Sequence, residues 1–151
     1  MSADPDVMRD LGGPINRAES DAKLDSYMAA FDRHGICHWA LEDQNGNFLG
    51  YAGIMPRPPD HPLGFHFAVG WRLVRGAWGH GYATEAARAA LEYAFTSMGL
   101  AEVMAYTAPD NHKSQAVMAR LGLERDRSRD FTVEDDRVGA WRGLVWVARP
   151  K

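Results

Sequence analysis

The stretch Trp78–Phe95, WGHGYATEAARAALEYAF, constrains the fold more than any other part of the chain. Gly79 and Gly81 precede a helix whose apolar positions Ala83, Ala86, Ala87, Ala90, Leu91, Ala94 and Phe95 recur at helical spacing. The stripe is nearly all alanine, so a helix from about Ala83 to Met98 is expected to lie close against a sheet. Glycines at such a place let the backbone turn sharply or approach another group. The first N–H groups of a helix have no partners inside it, and with the helix dipole behind them they bind anions. A diphosphate fits this turn, with Arg75 and His80 available to add charge; a strand-to-helix turn without a ligand fits it equally well. The dinucleotide fingerprint does not apply, because Thr84 stands where its third glycine would be, and no Gly-Lys-Ser/Thr follows to make a P-loop.

The other elements read in order. DPDVMRDLGG is a short helix capped by Asp4, begun by Pro5 and stopped by Gly12 and Gly13. A second helix, RAESDAKLDSYMAAFDRHG, has Leu24, Tyr27, Met28 and Phe31 at helical spacing and ends at Gly35. Strands follow at ICHWALE, at NFLGYAGIM after the turn DQNGN, and from Phe65 to about Val74. EVMAYT is a short buried strand, NHKSQAVMARLG a helix capped by Asn111 and ended by Gly122, and AWRGLVWVAR a final strand. An antiparallel start and a later strand–helix–strand crossover predict an α/β fold in one domain, residues 1–151, with a mixed sheet and helices on both faces.

Charge and composition narrow the class. A net charge of -3 gives no reason to expect nucleic acid or an anionic membrane as a partner. No apolar run approaches the ~18 residues that span a bilayer, and the first residues carry no basic-then-apolar leader. Cys37 is the single cysteine, which fits a cytoplasmic location, and the six histidines show no metal-binding spacing, so no metal is expected.

Five ordered blocks, DPDVMRDLGGP, HWALEDQNGNFLGYAGI, VGWRL, WGHGYATEA and DNHKSQAVMARLGL, resemble the GNAT superfamily of acetyl-CoA-dependent N-acetyltransferases. Within it they are most similar to the branch that includes the ribosomal-protein N-terminal acetyltransferases. The resemblance implies a sheet whose central strands splay around acetyl-CoA. It assigns cofactor contacts to Leu73, Val74, Trp78, Gly79, His80, Gly81, Tyr82, Ala83, Thr84, Asn111 and Ser114, with the pyrophosphate on the Trp78–Thr84 turn. Trp78 stands where the family signature usually has Gln or Arg. Members of the family usually begin with a strand ahead of DPDVM, and none is read here; the expected consequence is an exposed sheet edge and a homodimer in which the tail strand or a neighbouring edge covers it.

Acetyl transfer to an amine needs a neutral nucleophile and a protonated leaving thiolate. Related enzymes often supply a glutamate just before the VGW block, where this chain has Ala68. His66, two residues earlier on the same strand face, is the candidate base, acting directly or through a water; the alternative is a half-buried histidine satisfied by a backbone carbonyl. Ser114 is the candidate proton donor to the thiolate, and Tyr106 is either a second acid or a cleft wall. His38, His61 and Glu42 are weaker candidates, Glu85 complements the helix dipole, and Trp39, Trp71 and Trp141 line the core or the cleft. Cys37 lacks an adjacent basic group, so direct attack without an acyl-enzyme is expected. The absence of a glutamate also leaves open a CoA-binding module that has lost catalysis.

Overall fold

A computed structural model describes residues 1–8, 14–135 and 139–151. Helix α1 spans Pro5–Met8 and α2 spans Arg17–His34. Strands β1 (His38–Glu42), β2 (Phe48–Arg57) and β3 (His66–Leu73) follow, then α3 (Tyr82–Thr96), β4 (Val103–Thr107) and α4 (His112–Arg120). The chain closes with β5 (Glu124–Arg125), β6 (Phe131–Asp135) and β7 (Gly139–Ala148). The mixed α/β architecture expected from the sequence is present; Gly12 and Gly13, read as the stop of α1, lie outside the described residues.

The strand order is β1-β2-β3-β4-β7-β5, with β6 also paired to β7. All pairings are antiparallel except β3 with β4, which are parallel and registered at one pair, Ala68 with Met104. Beyond that pair the two strands diverge, which is the expected splay. One side of the sheet is closed by α3, where Ala87, Leu91 and Ala94 pack on Ile54, Val69, Val103 and Ala105. Ala87 and Ala94 are fully buried, so only small side chains allow this close approach.

The residues at helical spacing on α2 divide: Leu24, Met28 and Phe31 are 55%, 59% and 48% exposed. Tyr27 turns inward and packs with Ala30 on Cys37 and Met55. Helical spacing alone fixes a line of residues and not the side it packs on. The tail strand β7 is interior over Leu144–Ala148, which pairs with β4 and has Val145 fully buried, while Gly139–Gly143 pairs with β6 alone among the described residues. The edge strand is β1, paired only with β2 among the described residues.

Candidate active site

The splayed ends of β3 and β4 lead to the N-termini of α3 and α4. After β3 the chain makes a single 3-10 turn, Arg75–Ala77, and Trp78 then anchors its indole N–H on the Leu73 carbonyl at 3.1 Å. Gly79 and Gly81 follow with φ of 80° and 78°, left-handed conformations that side chains resist. A Cβ at either position would meet nothing within 4 Å, so the turn is open on the outside. Gly81 is the N-cap of α3 and supplies no side chain to cap it. Among the described residues, the first N–H of the helix to find an acceptor is that of Glu85, on the Gly81 carbonyl at 3.0 Å. Thr84 adds a buried hydroxyl without a partner among the described residues. Unbonded N–H groups, an orphan hydroxyl and open space fit the diphosphate reading of this turn.

Other residues assigned by resemblance fall into place unevenly. Leu73 is buried, Val74 spends its N–H on the Leu49 carbonyl at 2.9 Å, and Tyr82 and Ala83 are half-buried. His80 is exposed, with its ring 5.6 Å from that of Tyr82. Arg75 is not free to meet an anion: its guanidinium is paired with Asp4 at 2.8 Å and Asp6 at 3.0 Å, which ties α1 to the turn. The cation that does stand there was not foreseen. Lys113, in the first turn of α4, places its ammonium 3.7 Å over the Trp78 ring. Asn111 caps α4 by accepting the Ser114 N–H at 3.2 Å, and Ser114 is half-buried beside it.

His66 lies elsewhere. It begins β3, seven residues and about 23 Å of strand before Leu73, on the far side of the Ala68–Met104 pair. The ring is 7% exposed; Nδ1 donates to the Gly64 carbonyl at 2.8 Å, which leaves Nε2 to accept from the Tyr106 hydroxyl at 3.3 Å. Burial holds its pKa below the ordinary histidine value, so it is neutral at pH 7, and burial raises that of Tyr106. The ring is thus satisfied by a backbone carbonyl at one nitrogen, the alternative reading of His66, and meets a hydroxyl on the splayed strand at the other. The same ring borders a cavity of about 670 Å³ with Phe67, Glu102, Met104 and Phe131.

A polar layer on the α2 side of the sheet was also missed. His38 stacks on Tyr51 with centroids 4.9 Å apart, and the Tyr51 and Tyr27 hydroxyls are 3.3 Å apart. Arg72 lies 5.1 Å over the Tyr51 ring. Strand register brings these together, since Tyr51 pairs with Arg72 and His38 with Gly53. Burial, then the charges of Arg57, Arg72 and Lys23, push the His38 pKa down to about 3. Among the described residues no group of three His, Cys, Asp or Glu could hold a metal ion, and no helix is long and apolar enough to cross a membrane.

Comparison with known proteins gives this arrangement its class. Residues 1–124 match the family described as acetyltransferase (GNAT) domain, and the chain belongs to it. It is 30% identical over 126 residues to the uncharacterized protein YkkB of Bacillus subtilis, an overlap of 83% of this chain and 72% of that one. Over 131 residues it is 42% identical to FsC-acetyl coenzyme A-N(2)-transacetylase of Aspergillus fumigatus, covering 82% of this chain but only 55% of that longer protein. The crystal structure of an acetyltransferase from Agrobacterium tumefaciens superposes with a TM-score of 0.81 at 27% identity, covering 99% of this chain and 81% of the other. Ribosomal-protein-S5-alanine acetyltransferase of Vibrio fischeri (TM-score 0.68, 19% identity, 87% and 71% covered) shares the fold. So does spermidine N-acetyltransferase of Vibrio cholerae (0.71, 17%, 98% and 85%). Fold likeness thus does not single out the ribosomal branch.

His38 gives a prediction with a definite sign. Its folded pKa, about 3, lies below the unfolded value of 6.5, so the unfolded chain takes up the proton first. The associated stability is complete above pH ~6.5 and falls by ~1.4 kcal/mol per unit as pH drops toward the folded value. Urea unfolding at pH 7.5 and pH 5.0 should show a loss in the parent that is smaller in His38→Asn by ~2 kcal/mol. Equal losses in the two proteins would refute the assignment.

Proposed function

We propose that this chain transfers the acetyl group of acetyl-CoA to a primary amine by direct attack. The observation that carries the reading is the α3 entrance: two left-handed glycines, an uncapped helix start and the buried Thr84 hydroxyl, all at the open end of the β3–β4 splay. There the N–H groups from Gly79 to Thr84 would hold the pyrophosphate, with Lys113 as the nearby cation. Acetyl-CoA supplies an activated thioester. In the transfer the amine nitrogen bonds to the acyl carbon, the carbon–sulfur bond breaks, the amine gives up a proton and the thiolate takes one, for which Ser114 is the proposed donor. The family's relation to the ribosomal branch, a cytoplasmic location, and a dimer across the β1 edge belong to this reading.

The amine proton is proposed to leave through Tyr106 to His66. Tyr106 Oη accepts it while passing its own proton to His66 Nε2, and the Gly64 carbonyl holds Nδ1–H and so fixes the tautomer that keeps Nε2 free. Because the His66 pKa is lowered, the base stays available through neutral pH, and the rate falls only below the ordinary histidine range. His66→Gln and Tyr106→Phe should each reduce kcat by ~10²-fold with acetyl-CoA affinity unchanged. A rate near that of the parent in both variants would mean that no protein base is needed.

A second reading, a CoA-binding module without turnover, is favoured by Ala68, a β3 residue whose side chain supplies no carboxylate to the splay. Free-thiol release over an amine panel separates the two. The turn itself is tested by a pair of substitutions. Gly81 has a positive φ, which Asn and Asp both tolerate better than other side chains, so Gly81→Asn controls for shape and Gly81→Asp adds only charge. Calorimetry should show Gly81→Asp binding acetyl-CoA more weakly than Gly81→Asn by ~1–2 kcal/mol. Equal affinities would remove the anion from this turn.

A further inference from the structure

The face of the sheet beneath α2 is built of cations and polar rings where a core would ordinarily be apolar. Ala68 and Gly70 form its floor on β3. A Cβ on Gly70 would lie 3.1 Å from His38 Nε2, so that ring sits directly above the glycine. Arg72 closes one end, four residues past Ala68 on the same face and on the splayed half of β3. Arg57 comes from β2, opposite His66, and stands beside Tyr106 of β4, so its side chain spans the small residues of β3.

The charges in this trough are unbalanced. Nε and Nη1 of Arg72, Nε of Arg57 and both ring nitrogens of His38 are enclosed and have no hydrogen-bond partner among the described residues. Neither arginine has a carboxylate partner there, whereas Arg75, Arg125 and Arg129 all do. The groups that act on His38 are Arg57, Arg72 and Lys23, and no acid is among them. Enclosed guanidinium groups without an acceptor are costly, and a fold retains them where something else supplies the acceptor. Arg72 as a whole is only partly buried, so its side chain is not sealed from solvent.

We infer that the acceptor amine also carries a carboxylate, and that this acid group binds on Arg72. The inference rests on the acetyltransferase reading above and names the substrate class for the same site. Arg72 stands on the splayed strand, so a carboxylate held there leaves the amine of a small amino acid within the splay. The same field repels polyamines.

The test compares α-, β- and γ-amino acids with their carboxamides and with spermidine, following thiol release from acetyl-CoA. The carboxamides have the more readily deprotonated amine, so intrinsic reactivity runs against the expected result. At least one amino acid should exceed its amide ~10-fold or more in kcat/KM, the scale of a lost charge-assisted pair. Arg72→Gln should collapse that ratio to within ~2-fold, and leave acetyl-CoA affinity unchanged. Without ligand, the same variant should melt a few degrees higher, about 2–4 °C, because an uncompensated enclosed charge is gone. A merely structural arginine would give a lower melting point instead. Amides or spermidine serving as well as the acids would overturn the inference while leaving the transferase reading intact. If acetyl-CoA binds and no amine turns over, the transferase reading fails. Melting with the amino acids alone then decides the carboxylate site: a rise in the parent that is lost in Arg72→Gln supports it, and no rise in the parent overturns it.

Discussion

The rest of the structure depends on one sparse pairing. Strands β3 and β4 run parallel and meet in register only at Ala68 and Met104, so beyond that pair their facing N–H and C=O groups are withheld from each other. A sheet tolerates such a gap only where both strands are secured from outside. β3 is held along its whole length by β2, from Gly50–Leu73 to Arg57–His66, and β4 along its length by β7. The alanine face of α3 then fastens one side of the wedge at close range. What results is a gap between the two strands that opens toward two helix N-termini.

The two helix entrances are not equivalent, and the difference separates binding from support. At α4 the Asn111 side chain occupies the first turn, as a cap does in an ordinary helix. At α3 the cap is a glycine with no side chain, and the cation that could have crowded it, Arg75, is turned away to Asp4 and Asp6. Lys113 bridges the entrances by lying on Trp78, whose indole N–H is fixed to the end of β3. Trp78 thus acts as a platform that positions a charge beside the turn.

Local signals made much of this legible in the sequence. The α3 stripe, the Asn111 cap, the glycine turn and the first three strands all depend on spacing within a short window, and each was found within a few residues of its expected bounds. What the sequence did not show depends on partners distant along the chain. Strands β5 and β6 are only two and five residues long and sit in a charged stretch; they pair because β7 presents them with an edge. They are also pinned by Asp130, whose carboxylate takes a two-pronged grip from Arg125 at 2.7 Å and accepts the Val145 N–H at 3.0 Å. The polar layer of His38, Tyr51, Arg57 and Arg72 was invisible for the same reason, since three strands in register are needed to assemble it. His66 was visible as a residue but not as a geometry: only the fold shows that it looks toward Tyr106 from beyond the closed end of the splay.

Backbone amide exchange, measured with and without acetyl-CoA, tests the central claim most directly. The account predicts that the ligand slows exchange of the amides from Gly79 to Thr84, which have no acceptor among the described residues, and of β3 and β4 beyond the Ala68–Met104 pair. Unchanged exchange across Gly79–Thr84, with protection appearing instead around the Phe67–Phe131 cavity, would contradict it.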